Sequence, residues 1–323
     1  MGKVGEDSFG QMVRTMLRDS GAATAMSVSA AVSTSYSVVL NLPGTDRVFL
    51  HHPGANDQFG AEDVDAECLR DSRIFHLGYP SLMASLYADE GAELERVLRK
   101  AKTASVVTSL DMAMPDPSTP SGQADWPRIL ARAVPFVDLF LPSYEEIYLM
   151  LDRDDYLRWR QSDAGQGDLS EQAELGRLRR FSQQLLDFGA AVVAIKCGKN
   201  GIYLRTAGAR RLRQLTSVDL SDAWVDREIW AESLFPQRFV SSTGAGDCAI
   251  AGFLNAVIRG CDPDAALQMA AAAGCQNLRA VDAISGLGKW DELRGYLEQA
   301  QQFNALPLDG SGLRRRQPGL WVS

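Results

Sequence analysis

Between residues 74 and 196 the chain alternates short apolar runs with longer amphipathic ones, and few folds accept that order. The runs 74–77, 105–110, 137–141 and 191–196 have the length and composition of buried strands, whereas 90–102, 127–134 and 171–188 carry apolar residues at helical spacing. Strands separated by helices need crossover connections, and crossovers set the strands parallel with helices packed over them. The predicted fold is a three-layer α/β sandwich around a central, mostly parallel sheet. Residues 27–50 break the rhythm: alternation over 35–40, a turn at Leu42-Pro43-Gly44-Thr45-Asp46 and a return run over 47–50 predict a hairpin. The stretches 152–170 and 217–231 have no strong period. From Leu306 the sequence becomes rich in Gly, Arg and Pro, so the expected division is a domain over 1–305 and a flexible tail over 306–323.

Composition narrows the function classes. A hydrophobic fraction of 46% in 323 residues is enough for a sizeable core, and a formal net charge of −8 argues against nucleic acid or an anionic membrane as partner. The arginine clusters at 177–180, 210–213 and 314–316 read as solvated faces. Five cysteines without Cys-x-x-Cys spacing, and a first ten residues lacking an apolar core, predict a reducing cytoplasm. The three histidines show no metal pattern: His51 and His52 fall on opposite faces of a strand, and His76 lies in the apolar run 74–77.

The chemistry concentrates in Ser242-Thr243-Gly244-Ala245-Gly246-Asp247. Ala249, Ile250, Phe253, Leu254, Val257 and Ile258 follow at the spacing of one buried helix face, and Gly260 ends it. Asp247 therefore falls in a first turn, among orphan amides and at the positive end of the helix dipole, while Gly244 and Gly246 let backbone approach an anion. A carboxylate there repels a phosphate but is well placed to accept a proton from an attacking hydroxyl. On these residues alone an ordinary helix-start aspartate is an equal reading. Likewise Glu145 and Glu146 alone read as an acidic helix start, and Lys199-Asn200-Gly201 as a hairpin turn.

Taken in order, Gly2-Lys3-Val4-Gly5-Glu6-Asp7-Ser8-Phe9-Gly10, His52-Pro53-Gly54-Ala55-Asn56, Ser143-Tyr144-Glu145-Glu146, Lys196-Cys197-Gly198-Lys199-Asn200-Gly201 and Thr243-Gly244-Ala245-Gly246-Asp247 resemble the ribokinase-like carbohydrate kinases of the PfkB family over roughly residues 2–290. The resemblance implies ATP-dependent phosphorylation of a hydroxyl on a small sugar or sugar acid. A nucleoside kinase of the same fold and a catalytically impaired binding homologue are the alternatives. It makes Asp247 the catalytic base, with Gly244, Ala245, Gly246 and the amide of Asp247 as an anion hole. Glu146 would organise Mg²⁺, largely through water; Ser143 stands at a nucleotide-contact position where the family has asparagine. Lys196, Gly198 and Gly201 would lie along ATP, and Asn56 and Asp111 on the acceptor side. Ser241 replaces the acid through which many relatives bind a monovalent cation, and Ala271 replaces an asparagine that some carry near the adenine. The family's opening strand, lid segment and Gly-Gly motif do not precede Gly2, so the expectation is a misassigned start or a truncated chain whose lid is reduced to the 27–50 hairpin. Relatives often pair through their lids, so a homodimer is also an expectation.

Overall fold

The computed structural model describes residues 1–40, 48–162, 169, 173–299 and 302–323. Strands β1 (Gly2–Gly5) and β2 (Met26–Ser29) form a parallel pair, and β3 (Tyr36–Leu40) and β4 (Val48–His52) an antiparallel ribbon. The remaining strands make one sheet: β5 (Ile74–Leu77), β6 (Val107–Leu110), β7 (Leu139–Phe140), β8 (Val192–Lys196), β9 (Ile202–Thr206), β10 (Glu228–Ala231), β11 (Arg314–Gln317) and β12 (Leu320–Val322). Their order is β11-β12-β10-β9-β8-β7-β6-β5. From β5 to β8 the pairings are parallel, as helical crossovers require; beyond β8 every pairing is antiparallel.

Alternation along each strand feeds two apolar layers. Val193, Ile195, Tyr203 and Trp230 face one, covered by helices Ala92–Thr103, Trp126–Ala133, Tyr144–Leu151 and Leu175–Phe188. Val192, Ala194, Leu204 and Ile229 face the other, covered by helices Ala245–Ile258 and Pro263–Asn277. This is the predicted three-layer sandwich.

Three expectations need correction. Residues 306–323 are no tail: Leu320–Val322 pair with β10, and Leu306, Leu308, Leu313, Leu320 and Trp321 are buried. Their anchor is the buried Glu232, which accepts from the Leu306 amide at 3.1 Å, Trp321 Nε1 at 2.8 Å and Arg315 at 2.9 Å. The hairpin does not occupy all of 27–50, because Met26–Ser29 pairs with β1 and only 36–40 and 48–52 form the ribbon. The turn at 42–46 lies outside the described residues. The aperiodic stretches also hold structure, namely helix Arg153–Gln161 in the first and β10 with the fully buried Trp224 in the second.

Residues Ser8–Asp19 form a helix, and Asp7 caps it by accepting from the Gly10 amide at 2.8 Å. The same carboxylate accepts from the Thr34 amide and hydroxyl, both at 2.7 Å, and these bonds, Gly10 foremost, hold its pKa below the usual carboxylate range. Met12 and Met16 on this helix face solvent, as do Val38 and Val39 on β3. No described helix is long and apolar enough to cross a membrane, all five cysteines are free, and no cluster of metal-ligating side chains exists among the described residues.

Candidate active site

Helix Ala245–Ile258 begins at Gly244, whose φ of +76° is left-handed and whose added Cβ would lie 2.3 Å from the Ala283 Cα. Only glycine fits there. The alanine-rich helix Pro263–Asn277 seats this start closely: a Cβ on Gly252 would meet the Ala273 Cβ at 2.8 Å, and one on Gly274 the Ala245 carbonyl at 3.1 Å. Asn277 fixes the preceding loop, its amide nitrogen donating to the Thr243 carbonyl at 2.8 Å and the Asp282 carbonyl at 3.1 Å. Of the amides assigned to an anion hole, that of Ala245 donates to the Ser242 carbonyl at 3.2 Å, whereas those of Gly246 and Asp247 have no acceptor among the described residues.

One side of this helix start walls a cavity of about 420 Å³, within the ~300–1,000 Å³ span of small-molecule sites. Gly198, Gly201, Ala245, Gly246, Ala249, Ala271 and Gly274 line it, so the backbone itself forms much of the wall. Gly201 permits this at φ +85°, since a Cβ there would run into the Ala231 carbonyl. The turn Gly198–Asn200 also closes the β8–β9 hairpin. Lys196 is in the wall as well, but its ammonium does not stay in the cavity. It pairs with Asp111 Oδ1 at 2.5 Å and donates to the Leu141 carbonyl.

The other side is a polar cleft at the carboxyl ends of β5, β6 and β8. Asp111 is buried at the end of β6, and burial pushes its pKa up against the pull of Lys196. Glu146 is buried too; burial raises its carboxyl to about 8, with Lys196 lowering it and Asp111 raising it. Its position is fixed by a capping box, in which Glu146 Oε2 accepts from the Ser143 amide at 2.6 Å and the Ser143 hydroxyl accepts from the Glu146 amide. Ser143 is thus a helix cap and does not line the cavity. Asn56 lies in the turn Gly54–Gln58 beside β1 and, among the described residues, makes no hydrogen bond to Asp247 or Asp111.

Two further side chains complete the cleft. The Tyr79 hydroxyl donates to Asp247 Oδ1, and the His76 Nδ1 lies 3.0 Å from the Ser109 hydroxyl. His76 is exposed, but the protein packed around its ring still desolvates it. That desolvation, helped by Lys196 and opposed by Asp247, lowers its pKa to about 4. Neither residue is assigned to the site from sequence, where His76 reads only as lacking a metal pattern. The available signal was position, since His76-Leu77-Gly78-Tyr79-Pro80 runs off the carboxyl end of a predicted parallel strand, where open α/β sheets take ligands.

Comparison with known proteins gives this geometry a context. Residues 1–290 match the family model described as pfkB family carbohydrate kinase. An uncharacterized sugar kinase of Archaeoglobus fulgidus is 23% identical over 265 residues, covering 81% of this chain and 83% of the relative. Arabidopsis thaliana ribokinase, solved with ribose and ATP, superposes with a TM-score of 0.67 at 18% identity over 92% of this chain and 81% of its own. An E. coli protein described as a candidate ribokinase II, in complex with ATP and Mg²⁺, gives 0.65 at 23% identity over 92% and 82%. At these identities the solved structures establish the fold.

Proposed function

We propose, proceeding from the fact that this chain belongs to the pfkB family of carbohydrate kinases, that it transfers the γ-phosphoryl group of ATP to a hydroxyl of a small sugar or sugar acid with Asp247 as the base. The observation that carries this reading is the place of Asp247. It stands on the helix start that walls the cavity, and its carboxylate meets Tyr79 from the polar cleft. ATP in the cavity would lay its phosphates toward the amides of Gly246 and Asp247 and the helix dipole, which stabilise charge on the migrating group. An acceptor in the cleft would donate its hydroxyl to Asp247, losing that proton as its oxygen bonds phosphorus and ADP departs. Asp111 supplies a second acceptor for sugar hydroxyls.

A magnesium ion fits the buried carboxyls here. Burial keeps Glu146 protonated below about pH 8, and an adjacent dication is the partner that would return its charge. Glu146 would hold the ion, directly or through water, and the ion would offset the triphosphate charge. Asp247→Asn tests the base. An ADP-coupled assay over sugars, sugar acids and nucleosides should show turnover down by about a hundred- to ten-thousand-fold, with ATP affinity by calorimetry retained. Turnover close to that of the unaltered protein would defeat the reading.

A further inference from the structure

Tyr79 has the least ordinary backbone in the cleft. It lies at φ 63°, ψ 44°, a left-handed conformation that bulky residues rarely adopt, and it directly precedes Pro80, which restricts it further. Such strain persists only where neighbours fix it. Here the Tyr79 amide donates to the Asp111 carbonyl at 3.3 Å and its carbonyl accepts from the Leu82 amide at 2.9 Å. The outcome is a side chain sent across the cleft, its hydroxyl donating to Asp247 Oδ1. Burial, and then the bond to Asp247, raise the phenol's pKa, so it remains a donor throughout the working pH range.

A base beside ATP has a hazard that the fold must answer: water is smaller than any sugar and can use the same carboxylate. We propose that Tyr79 is a specificity-determining residue that holds the acceptor's place on Asp247, excluding water until a sugar hydroxyl displaces the phenol. This rests on the reading of Asp247 as the base. In the reaction it suppresses, a water oxygen bonds the γ-phosphorus, the bond to ADP breaks and the water proton passes to Asp247, releasing inorganic phosphate. A sugar can displace the phenol because it brings several hydroxyls and excludes solvent, whereas one water brings a single hydrogen bond.

Tyr79→Phe removes the hydroxyl and keeps the ring. With Mg²⁺-ATP and no acceptor, phosphate release should rise by about tenfold or more over the unaltered protein, as expected for losing a hydrogen bond to a charged group. Adding Asp247→Asn should cancel the rise. With sugar present, the ratio of phosphate to sugar phosphate should increase, at an unchanged thermal midpoint. Acceptor-free release at or below the original rate overturns the proposal. Failure of the underlying reading looks different: there, Asp247→Asn alone leaves sugar phosphorylation intact, whatever Tyr79→Phe does.

Discussion

On one side of the helix start at Ala245 the walls are mostly uncharged, Lys196 and Lys199 apart, with glycines and alanines prominent among them, and a volume of about 420 Å³ stands open; on the other, Lys196, Asp111, Glu146, Tyr79 and Asp247 lie close together, and most of them engage one another. The difference follows from desolvation. A cavity that binds through backbone and shape can wait open at little cost, but buried charges must be paired or neutralised before any ligand arrives. Nucleotide binding is then an addition, and acceptor binding an exchange of partners.

The sharpest way to break this contrast is at Lys196. Lys196→Met leaves Asp111 buried without its cation, and the expected loss is about 3 kcal/mol by denaturant titration. That is the low end for such a pair, because Asp111 can take up a proton once alone. Combining it with Asp111→Asn should recover part of the loss; no recovery would mean the pair is not the source. Next in size is a pH effect. Glu146 is protonated below about pH 8 in the metal-free fold, against an ordinary value of 4.5, so its burial favours the folded state fully below pH 4.5 and that contribution is lost as pH rises through 8. Metal needs the charged form. Mg²⁺-dependent ATP affinity should therefore climb between pH 6 and 8, by at most about tenfold per unit, and level off above. Glu146→Gln keeps the cap and should flatten the profile; an equal slope in the variant would remove Glu146 from the metal site.

On the open side the effects are smaller and of another kind. Ala271→Leu narrows the cavity, and the expected result is an ATP KM about tenfold higher with kcat unchanged, the mark of lost uniform binding. A fall in kcat instead would show that the two sides are not separable. Smallest is Ser143→Ala, which removes a helix cap at about 1 kcal/mol and should lower the thermal midpoint while leaving ATP affinity alone. Weaker ATP binding in this variant would restore Ser143 to the nucleotide.

What could be read in the sequence was what local chemistry decides. The parallel strands, the helix after Gly244 and the Asp247 position all depend on residues within a few places of one another. Asp111 was found because it ends a strand, but its pairing with Lys196 spans 85 positions and has no local trace. The same holds for residues 306–323, whose Gly, Arg and Pro content looks like tail composition until Glu232 is seen to gather them. Tyr79 escaped because a tyrosine after Gly and before Pro reads as loop; only its left-handed backbone shows where it is sent.

The pairing of β10 with β12 has a bearing on how the chain is made. Ile229 sits in register with Val322, and β11 reaches the sheet only through β12, so the antiparallel half of the sheet stays two strands short until residues 320–322 have emerged from the ribosome. Until then β10 keeps an unpaired edge with buried-type residues, and Glu232 has neither Arg315 nor Trp321 to answer it. A nascent chain halted before that point would be a target for chaperones that its finished form would not.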